Sequence, residues 1–352
     1  MSLSREYDNM TVLIDPNKGT PAFTYFSEYG ERMKNQEYLE LMVLMTICTT
    51  SVIGNSLVIA AVMKKRSMRN PTNYLIVNLS MSDLLFVMMT PFIMTTRITV
   101  NWKLGGFLCR IVSYIQFFSA ANSILTMMLI SIDRYRSICI INVTKLTTKV
   151  GAVIICCVWM VSLTMTLPIA LFSIETHITQ WGKEHVFCGL VWPKEANPDI
   201  YFSVLALFLF IMPVTTLIVN YCRIFNTVRK SSKVKVIKVT SKDNHKEQDQ
   251  ISSKQIKLLK MFVLIVALFI AMILPFFAAS FVVLFTDTMT STIFTWSVTL
   301  TLANTAINPI IYGYFNTKFK QAYKELLCKR CTRKVGHERS ISNSQGTHTD
   351  GE

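Results

Sequence analysis

The sequence predicts an all-α membrane protein, in which a bundle of seven transmembrane helices is followed by a short amphipathic eighth helix. Of 352 residues, 51% are hydrophobic and 16% charged, and the mean hydropathy is +0.39, a composition too apolar for an ordinary soluble domain. A bilayer core requires about 20 apolar residues per helix. Six stretches meet this length without a charge, and a seventh is interrupted by Asp83 alone: 41–63, 71–96, 111–132, 150–174, 200–222, 261–286 and 288–317.

The charged residues predict how the chain crosses the membrane. Lysine and arginine are concentrated at 64–69, 134–149 and 223–260, after the first, third and fifth spans. The loop after the fourth span is acidic on balance, with Glu175, Glu184, Glu195 and Asp199 against Lys183 and Lys194. The positive-inside rule therefore predicts a multi-pass plasma-membrane protein with an extracellular N-terminus and a cytoplasmic C-terminus. The net charge of +15 then reflects topology and anionic lipid, which argues against nucleic acid as a partner.

This topology divides the chain into four parts: an extracellular tail (1–38), a seven-helix domain (39–314), an amphipathic helix (315–331) and a disordered cytoplasmic tail (332–352). The extracellular tail carries a glycosylation sequon at Asn9. Of nine cysteines, only Cys109 and Cys188 face the oxidising exterior, so they are predicted to form one disulfide.

The segment after the last span predicts an interfacial helix. Phe315, Phe319 and Tyr323 share one helical face, and lysines surround the other. Cys328 and Cys331 are positioned for palmitoylation, with unmodified thiols as the alternative. The final tail contains five candidate phosphorylation sites: Ser340, Ser342, Ser344, Thr347 and Thr349.

Polar residues inside the spans are the candidate functional groups, because ionisable side chains at membrane depth are costly. Asp83, with Ser123, Asn304 and Asn308 at comparable depth, could bind a sodium ion or form a structural network. Asp133 and Arg134 end the third span, either as a two-state element or as an interfacial ion pair. The signatures GxGxxG, P-loop and HExxH are absent from the sequence, so we predict no enzymatic activity and no cofactor beyond sodium.

Several motifs, in a specific order and spacing, resemble one family. They are GN (Asn55), NLSMSDLL (Asp83), Trp102 followed by Cys109, DRY (133–135), Trp159, Pro213 with Tyr221, Phe269 with Pro275, and NPIIY (308–312). Over residues 40 to 330 the chain resembles the rhodopsin-like (class A) G-protein-coupled receptors. The resemblance implies a receptor that passes an extracellular signal to a heterotrimeric G protein and is then bound by a receptor kinase and arrestin.

The resemblance also implies roles for individual residues. Coupling to the G protein and activation would involve Asp133, Arg134, Tyr135, Val143, Tyr221, Asn308, Pro309 and Tyr312. The connector between ligand and sixth helix would be Ile124, Pro213 and Phe269, with Ile273 in place of the usual tryptophan. Asp83, Ser123, Asn304 and Asn308 match the family's sodium site. Gln255 stands where many relatives carry an acid that pairs with the DRY arginine, so we expect elevated basal activity.

The resemblance leaves the ligand open. Gln116 replaces the aspartate of amine receptors, and Leu302 replaces the lysine of retinal-binding opsins. The predicted pocket is mainly apolar: Arg97, Tyr114, Gln116, Phe117, Trp192, Phe281 and Trp296. Some stretches resemble the long-chain fatty-acid receptor, in which an arginine matching Arg97 is tied to carboxylate recognition. Alternatively, Arg97 reaches the surface beside Trp102.

We therefore expect a lipid or other carboxylate as ligand. Other stretches resemble the invertebrate orphan receptors of the moody and trapped-in-endoderm group. A peptide receptor is the alternative, because the acidic loop after the fourth span could hold a basic peptide. A constitutively active receptor also remains open, whereas a transporter is disfavoured because internal repeats and further membrane acids are missing from the sequence.

Overall fold

The computed structural model describes residues 12–14, 21–23, 36–99, 101–140, 146–180, 183–193, 196–237, 245–286 and 291–328. Helices predominate: α1 Gln36–Lys64, α2 Pro71–Met88, α3 Thr90–Thr99, α4 Gly105–Cys139, α5 Thr148–Phe172, α6 Pro198–Ala206, α7 Met212–Ile237, α8 His245–Thr286, α9 Ser291–Phe315 and α10 Thr317–Leu327. A 3₁₀ turn covers Arg66–Met68, and a π-helical turn covers Leu207–Ile211.

Six helical segments of the described chain are long and apolar enough to cross a bilayer: Tyr38–Lys64, Pro71–Thr99, Gly105–Cys139, Thr148–Phe172, Pro198–Arg229 and Lys260–Val282. The seventh span is the 25-residue α9, which is more polar because Ser297, Thr305 and Asn308 are buried against its neighbours. The predicted helical bundle is therefore confirmed. Helix α4 lies at its centre and packs against α2, α5 and α7.

Prolines account for the irregular points of two spans. Pro91 has no N–H to donate to the carbonyl four residues earlier, and the second span breaks at Met89 between α2 and α3. Pro213 also lacks an N–H, and it comes just after the π-helical turn that joins α6 to α7. Helix α2 begins cleanly because the Asn70 side chain accepts a hydrogen bond from the Asn73 N–H at 2.9 Å.

At one end of the bundle, which the charge distribution predicts to be extracellular, lies an antiparallel sheet of four strands in the order β1-β2-β4-β3. The strands are β1 Val12–Ile14, β2 Pro21–Phe23, β3 Ser173–Gln180 and β4 Lys183–Val191, and β3 and β4 form the hairpin that follows α5. The predicted disulfide is confirmed, since Cys109 at the top of α4 bonds Cys188 in β4 with their Cα atoms 5.4 Å apart. The backbone N–H of Trp102 also donates to the Val186 carbonyl at 2.8 Å, so the hairpin is fixed to the bundle at two points.

Helix α10 lies at the opposite end of the bundle. Asn316 caps it by accepting from the Lys318 N–H at 3.1 Å, and Phe319 is buried and stacks on Tyr312 with ring centroids 5.6 Å apart. Burial raises the pKa of the Tyr323 phenol, which remains protonated and donates to the Pro309 carbonyl at 3.4 Å. These contacts attach α10 to the end of α9.

Candidate functional site

Arg134, near the end of α4, is held by two neighbours. Its Nη2 lies 2.8 Å from Asp133 Oδ2 and donates to the hydroxyl of Thr72, while Thr72 Oγ1 donates to Asp133 Oδ2 at 2.7 Å. The Arg134 side chain is 21% exposed. The guanidinium therefore sits in a charge-assisted triangle at the rim of the bundle, where a change in geometry could release it.

Phe262 provides a third contact for Arg134, one that the sequence reading did not anticipate. The guanidinium carbon lies 5.4 Å from the centroid of the Phe262 ring, within cation–π range. Phe262 belongs to α8, which forms the sixth span, and its side chain is buried. Both residues line a cavity at this end of the bundle together with Thr72, Asn316 and Lys318. The contact therefore links the third span to the sixth beside an accessible space.

Tyr221 and Tyr312, which the family resemblance implies act with Arg134, lie on other helices. Tyr221 on α7 and Tyr312 on α9 are both buried. Tyr135 points toward α7, where Arg223 Nη1 donates to its hydroxyl at 3.4 Å. The Asn220 amide donates to the hydroxyl of Ser131 at 2.9 Å and ties α7 to α4.

Asp83 lies at the middle of the bundle and is 1% exposed. Its Oδ1 accepts a hydrogen bond from the Ser123 hydroxyl at 3.0 Å, and its Oδ2 accepts from the Asn308 amide at 3.3 Å. Asn304 is half-buried one helical turn from Asn308. The structure thus brings together the Asp83 carboxylate, the Ser123 hydroxyl and the Asn308 amide, and the carboxylate and hydroxyl oxygens are hard donors compatible with a small cation.

A second buried network explains two of the motif residues. Pro309 has no N–H for the Thr305 carbonyl, and the Asn55 amide donates to that carbonyl at 3.0 Å instead. The Asn78 amide donates to Thr126 at 2.8 Å, while Trp159 Nε1 donates to the Asn78 carbonyl oxygen at 2.7 Å. The first bond joins α1 to α9, and the other two join α2 to α4 and α5.

The predicted connector residues are all buried. Ile124, Phe269 and Ile273 belong to one hydrophobic cluster that extends through the bundle, and Pro213 is buried on α7. Phe277, one turn from Ile273 along α8, stacks on Phe210 at 4.5 Å between ring centroids. Aromatic and aliphatic side chains of α8 and its neighbours therefore surround Ile273, the position at which the resemblance implies a tryptophan.

A cavity, named the outer cavity, lies between the connector and the end of the bundle that carries the β-sheet, and it contains part of the predicted pocket. The lining residues are uncharged: Phe86, Ile93, Gln116, Phe117, Ala120, Phe276, Val298 and Thr301. Gln116 and Phe117 were predicted, and Gln116 and Thr301 supply the polar side chains. Such a cavity suits an apolar group oriented by one or two hydrogen bonds.

Four other predicted pocket residues do not line this cavity. The Tyr114 hydroxyl donates to the Leu163 carbonyl of α5 at 3.3 Å. Trp192 packs between Phe172 and Tyr201, with centroids 4.8 and 5.1 Å away. Phe281 is 51% exposed on the outer surface of the bundle, and Trp296 is half-buried on α9.

Arg97 lies in an internal ion pair near the outer ends of three helices. Its Nε is 3.5 Å from Glu40 Oε1 on α1, and its Nη1 donates to Thr295 Oγ1 of α9 at 2.7 Å. The two charged side chains are only 7% and 4% exposed. Glu40 therefore supplies, from within the protein, the carboxylate that sequence reasoning expected from a ligand. A lone cation at the end of one span could have prompted a search for an acid at the same end of another.

Several predicted sites lie outside the residues whose side chains the structure describes. They are Asn9, Val143, Gln255, Cys331, Ser340, Ser342, Ser344, Thr347 and Thr349. Cys328, by contrast, is described and exposed.

Comparison with known proteins agrees with this arrangement. The model of the family described as "7 transmembrane receptor (rhodopsin family)" matches residues 54–312. Somatostatin receptor type 4 of Rattus norvegicus is 28% identical over 289 residues, covering 81% of this chain and 71% of that protein. Somatostatin receptor type 1 of Rattus norvegicus is 30% identical over 288 residues, covering 80% and 70%. Neuropeptide FF receptor 2 of Rattus norvegicus is 27% identical over 301 residues, covering 81% and 71%.

Proposed function

The chain belongs to the rhodopsin family of seven-transmembrane receptors, and from that premise we propose that its extracellular ligand is a peptide. The family assignment makes it a plasma-membrane receptor, not an enzyme, that acts through a heterotrimeric G protein. The relatives named for somatostatin and neuropeptide FF favour a peptide over the lipid or carboxylate expected from the sequence.

The engagement of Arg97 is the structural observation that carries this choice. A carboxylate ligand would have to displace Glu40, which lies 3.5 Å from the guanidinium in a site almost closed to solvent. Among the residues that line the outer cavity, Gln116 and Thr301 offer neutral hydrogen-bonding groups and the others are apolar. A peptide side chain such as tyrosine or tryptophan would bury its ring there, and its O–H or N–H would donate to the side-chain carbonyl oxygen of Gln116.

The extracellular sheet supports a peptide in a second way. The hairpin β3–β4 is fixed by the Cys109–Cys188 disulfide and pairs with β2 from the N-terminal segment. Acidic residues, including Glu175 in β3 and Asp199 at the start of α6, give this side negative charge. The rest of a basic peptide would contact these acids while one anchoring side chain enters the cavity.

Signalling would proceed by a shift between two populations of the receptor. In the closed arrangement Arg134 is held by Asp133, Thr72 and Phe262. Repacking of Phe269 and Ile273 by a bound ligand would move α8 outward, take Phe262 from the guanidinium and free Arg134 for the G protein. The bundle end that carries Arg134 would face the cytoplasm, with the serine- and threonine-rich tail available to a receptor kinase and arrestin.

Asp83 would stabilise the closed arrangement by holding a sodium ion. The Asp83 carboxylate and the Ser123 hydroxyl offer hard oxygens that suit sodium. Asn308, whose amide N–H donates to Asp83, and Asn304 would turn their side-chain carbonyl oxygens to the ion. The bound ion would offset the buried negative charge and restrain α2, α4 and α9 together.

The ligand proposal is tested by comparing two neighbouring positions on α4. Cells that express the receptor are given panels of basic peptides, fatty acids and lipids, and G-protein activation is recorded. We expect a response to peptide, with Gln116→Leu reducing potency about tenfold, the value of one hydrogen bond in a partly desolvated site. Tyr114→Phe is the matched control, because its hydroxyl faces α5.

The outcome that contradicts the proposal is equally definite. Activation by fatty acids and not by peptides, lost in Arg97→Ala at unchanged surface expression, would restore the carboxylate hypothesis.

A further inference from the structure

A groove on the outer surface of the bundle runs between α1, α9 and α10. Its membrane-facing wall includes Ile53 and Leu57 of α1 and Ile310 of α9, and its other end is bordered by Lys320, Lys324 and Cys328 of α10. From Thr49 to Leu57 it follows α1 for about 12 Å, at 1.5 Å per residue. The groove is distinct from the outer cavity and from the cavity beside Arg134, since it shares no lining residue with either.

Glycines shape the floor of this groove. A Cβ at Gly54 would lie 2.8 Å from Pro309 Cβ, and a Cβ at Gly313 would lie 2.8 Å from the Tyr323 ring. Because both positions lack a side chain, α1 and α10 approach α9 closely there. The depression between their larger flanking residues is a result of this close packing.

The end of the groove at α10 is basic. Lys320 and Lys324 are exposed and, among the described residues, neither has an acidic partner. Glu325, the acid of α10, lies 3.0 Å from Lys65, which follows α1, and accepts a hydrogen bond from Gln321 at 3.0 Å. Its charge is therefore directed to Lys65 and does not neutralise the two lysines on the groove.

We propose that this groove is a binding site for an anionic phospholipid of the adjacent leaflet, with one acyl chain along α1 and α9 and the phosphate between Lys320 and Lys324. The apolar wall matches the chain, and the two ammonium groups match the headgroup charge. Because α10 is packed on Tyr312 through Phe319, a bound lipid would restrain the end of the seventh span.

Cys328 defines the competing occupant. An acyl chain carried by its thiol as a thioester would also begin in the groove, but it would gain nothing from Lys320 and Lys324. Headgroup dependence therefore separates the two occupants, and the first experiment uses the full chain with Cys328→Ala.

The test places this receptor in phosphatidylcholine bilayers that contain a phosphatidylglycerol with a photoreactive acyl chain, or a phosphatidylcholine with the same chain. Labelled peptides are mapped by mass spectrometry. We expect the phosphatidylglycerol probe to label 49–57 about fivefold more than the phosphatidylcholine probe. Lys320→Gln with Lys324→Gln should remove the difference, whereas Lys318→Gln, which removes one charge from α10 outside the groove, should retain it.

A second variant keeps the proposal testable if the double lysine variant fails to fold. Ile53 is 55% exposed, so Ile53→Trp should fill the groove without unfolding the bundle and should abolish labelling of 49–57 by phosphatidylglycerol. Equal labelling by the two probes, or a preference that survives loss of both lysines, would mean ordinary boundary lipid and overturn the proposal. In the wild-type receptor, Cys328 can carry an acyl chain. If that chain prevented the phosphatidylglycerol probe from labelling 49–57, the thioester chain would be the occupant of the groove and the proposal would be overturned.

Discussion

Replacing Phe262 by leucine is expected to raise the receptor's ligand-independent activity. The Phe262 ring lies 5.4 Å from the Arg134 guanidinium and is the contact through which α8 holds that residue in the closed arrangement. Leucine keeps most of the apolar volume but has no π face. Thr72 and Asp133 would still bond to Arg134, so the substitution removes only the link to the sixth span.

The size of the effect follows from how far the pair is desolvated. Phe262 is 6% exposed and the Arg134 side chain 21% exposed, which places the cation–π energy between surface and buried values, at about 1–2 kcal/mol. If this contact exists only in the closed arrangement, its loss shifts the equilibrium about 5-fold to 30-fold. A receptor that is open about 1% of the time would become open about 5% to 25% of the time.

Nucleotide exchange on a heterotrimeric G protein, measured without ligand and normalised to surface expression, gives the readout. Phe262→Tyr keeps an aromatic ring and should stay near the wild-type level. Phe225→Leu is the control, because it makes the same replacement of phenylalanine by leucine at a residue that is 55% exposed on α7. Basal exchange by Phe262→Leu equal to that of Phe262→Tyr would refute the idea that this ring restrains Arg134.

Two further predictions concern the buried charges. Asp83→Asn should abolish any suppression of basal exchange by sodium, measured in sodium against potassium buffers, because the buried carboxylate is the charged member of the set; suppression of unchanged size would remove sodium from the account. Glu40→Gln should lower the stability of the purified receptor by about 3–5 kcal/mol, since it leaves the Arg97 guanidinium buried without its counter-charge, and a thermal unfolding assay should show Glu40→Leu with Arg97→Met recovering most of the loss. Equal melting temperatures for wild type and Glu40→Gln would contradict this role for the ion pair.

The sequence predicted the features that depend on spacing along the chain. Apolar runs located the helices, and the order of motifs identified the family. Topology left Cys109 and Cys188 as the pair on the oxidising side, and the structure joins them. Each of these inferences needs only the position of a residue along a helix or its side of the membrane, and both can be read from composition and charge.

Features that depend on helix rotation could not be read in the same way. Successive residues of an α-helix point about 100° apart, and so Gln116 faces the outer cavity while Tyr114 bonds to α5. Glu40 was missed because its partner Arg97 lies two helices away in sequence, and Phe262 because a cation–π contact has no pattern of its own. The partner of a buried charge is set by three-dimensional packing.

The most direct test of the central claim is the exchange assay on Arg134→Gln, made in both the wild-type and the Phe262→Leu receptor. The substitution removes the charge that Asp133 and Thr72 hold in the closed arrangement and that the G protein is proposed to meet in the open one. We predict that receptor-driven nucleotide exchange falls in both backgrounds to the level of membranes without receptor. Exchange by Arg134→Gln with Phe262→Leu at the full rate of Phe262→Leu alone would show that coupling does not pass through Arg134.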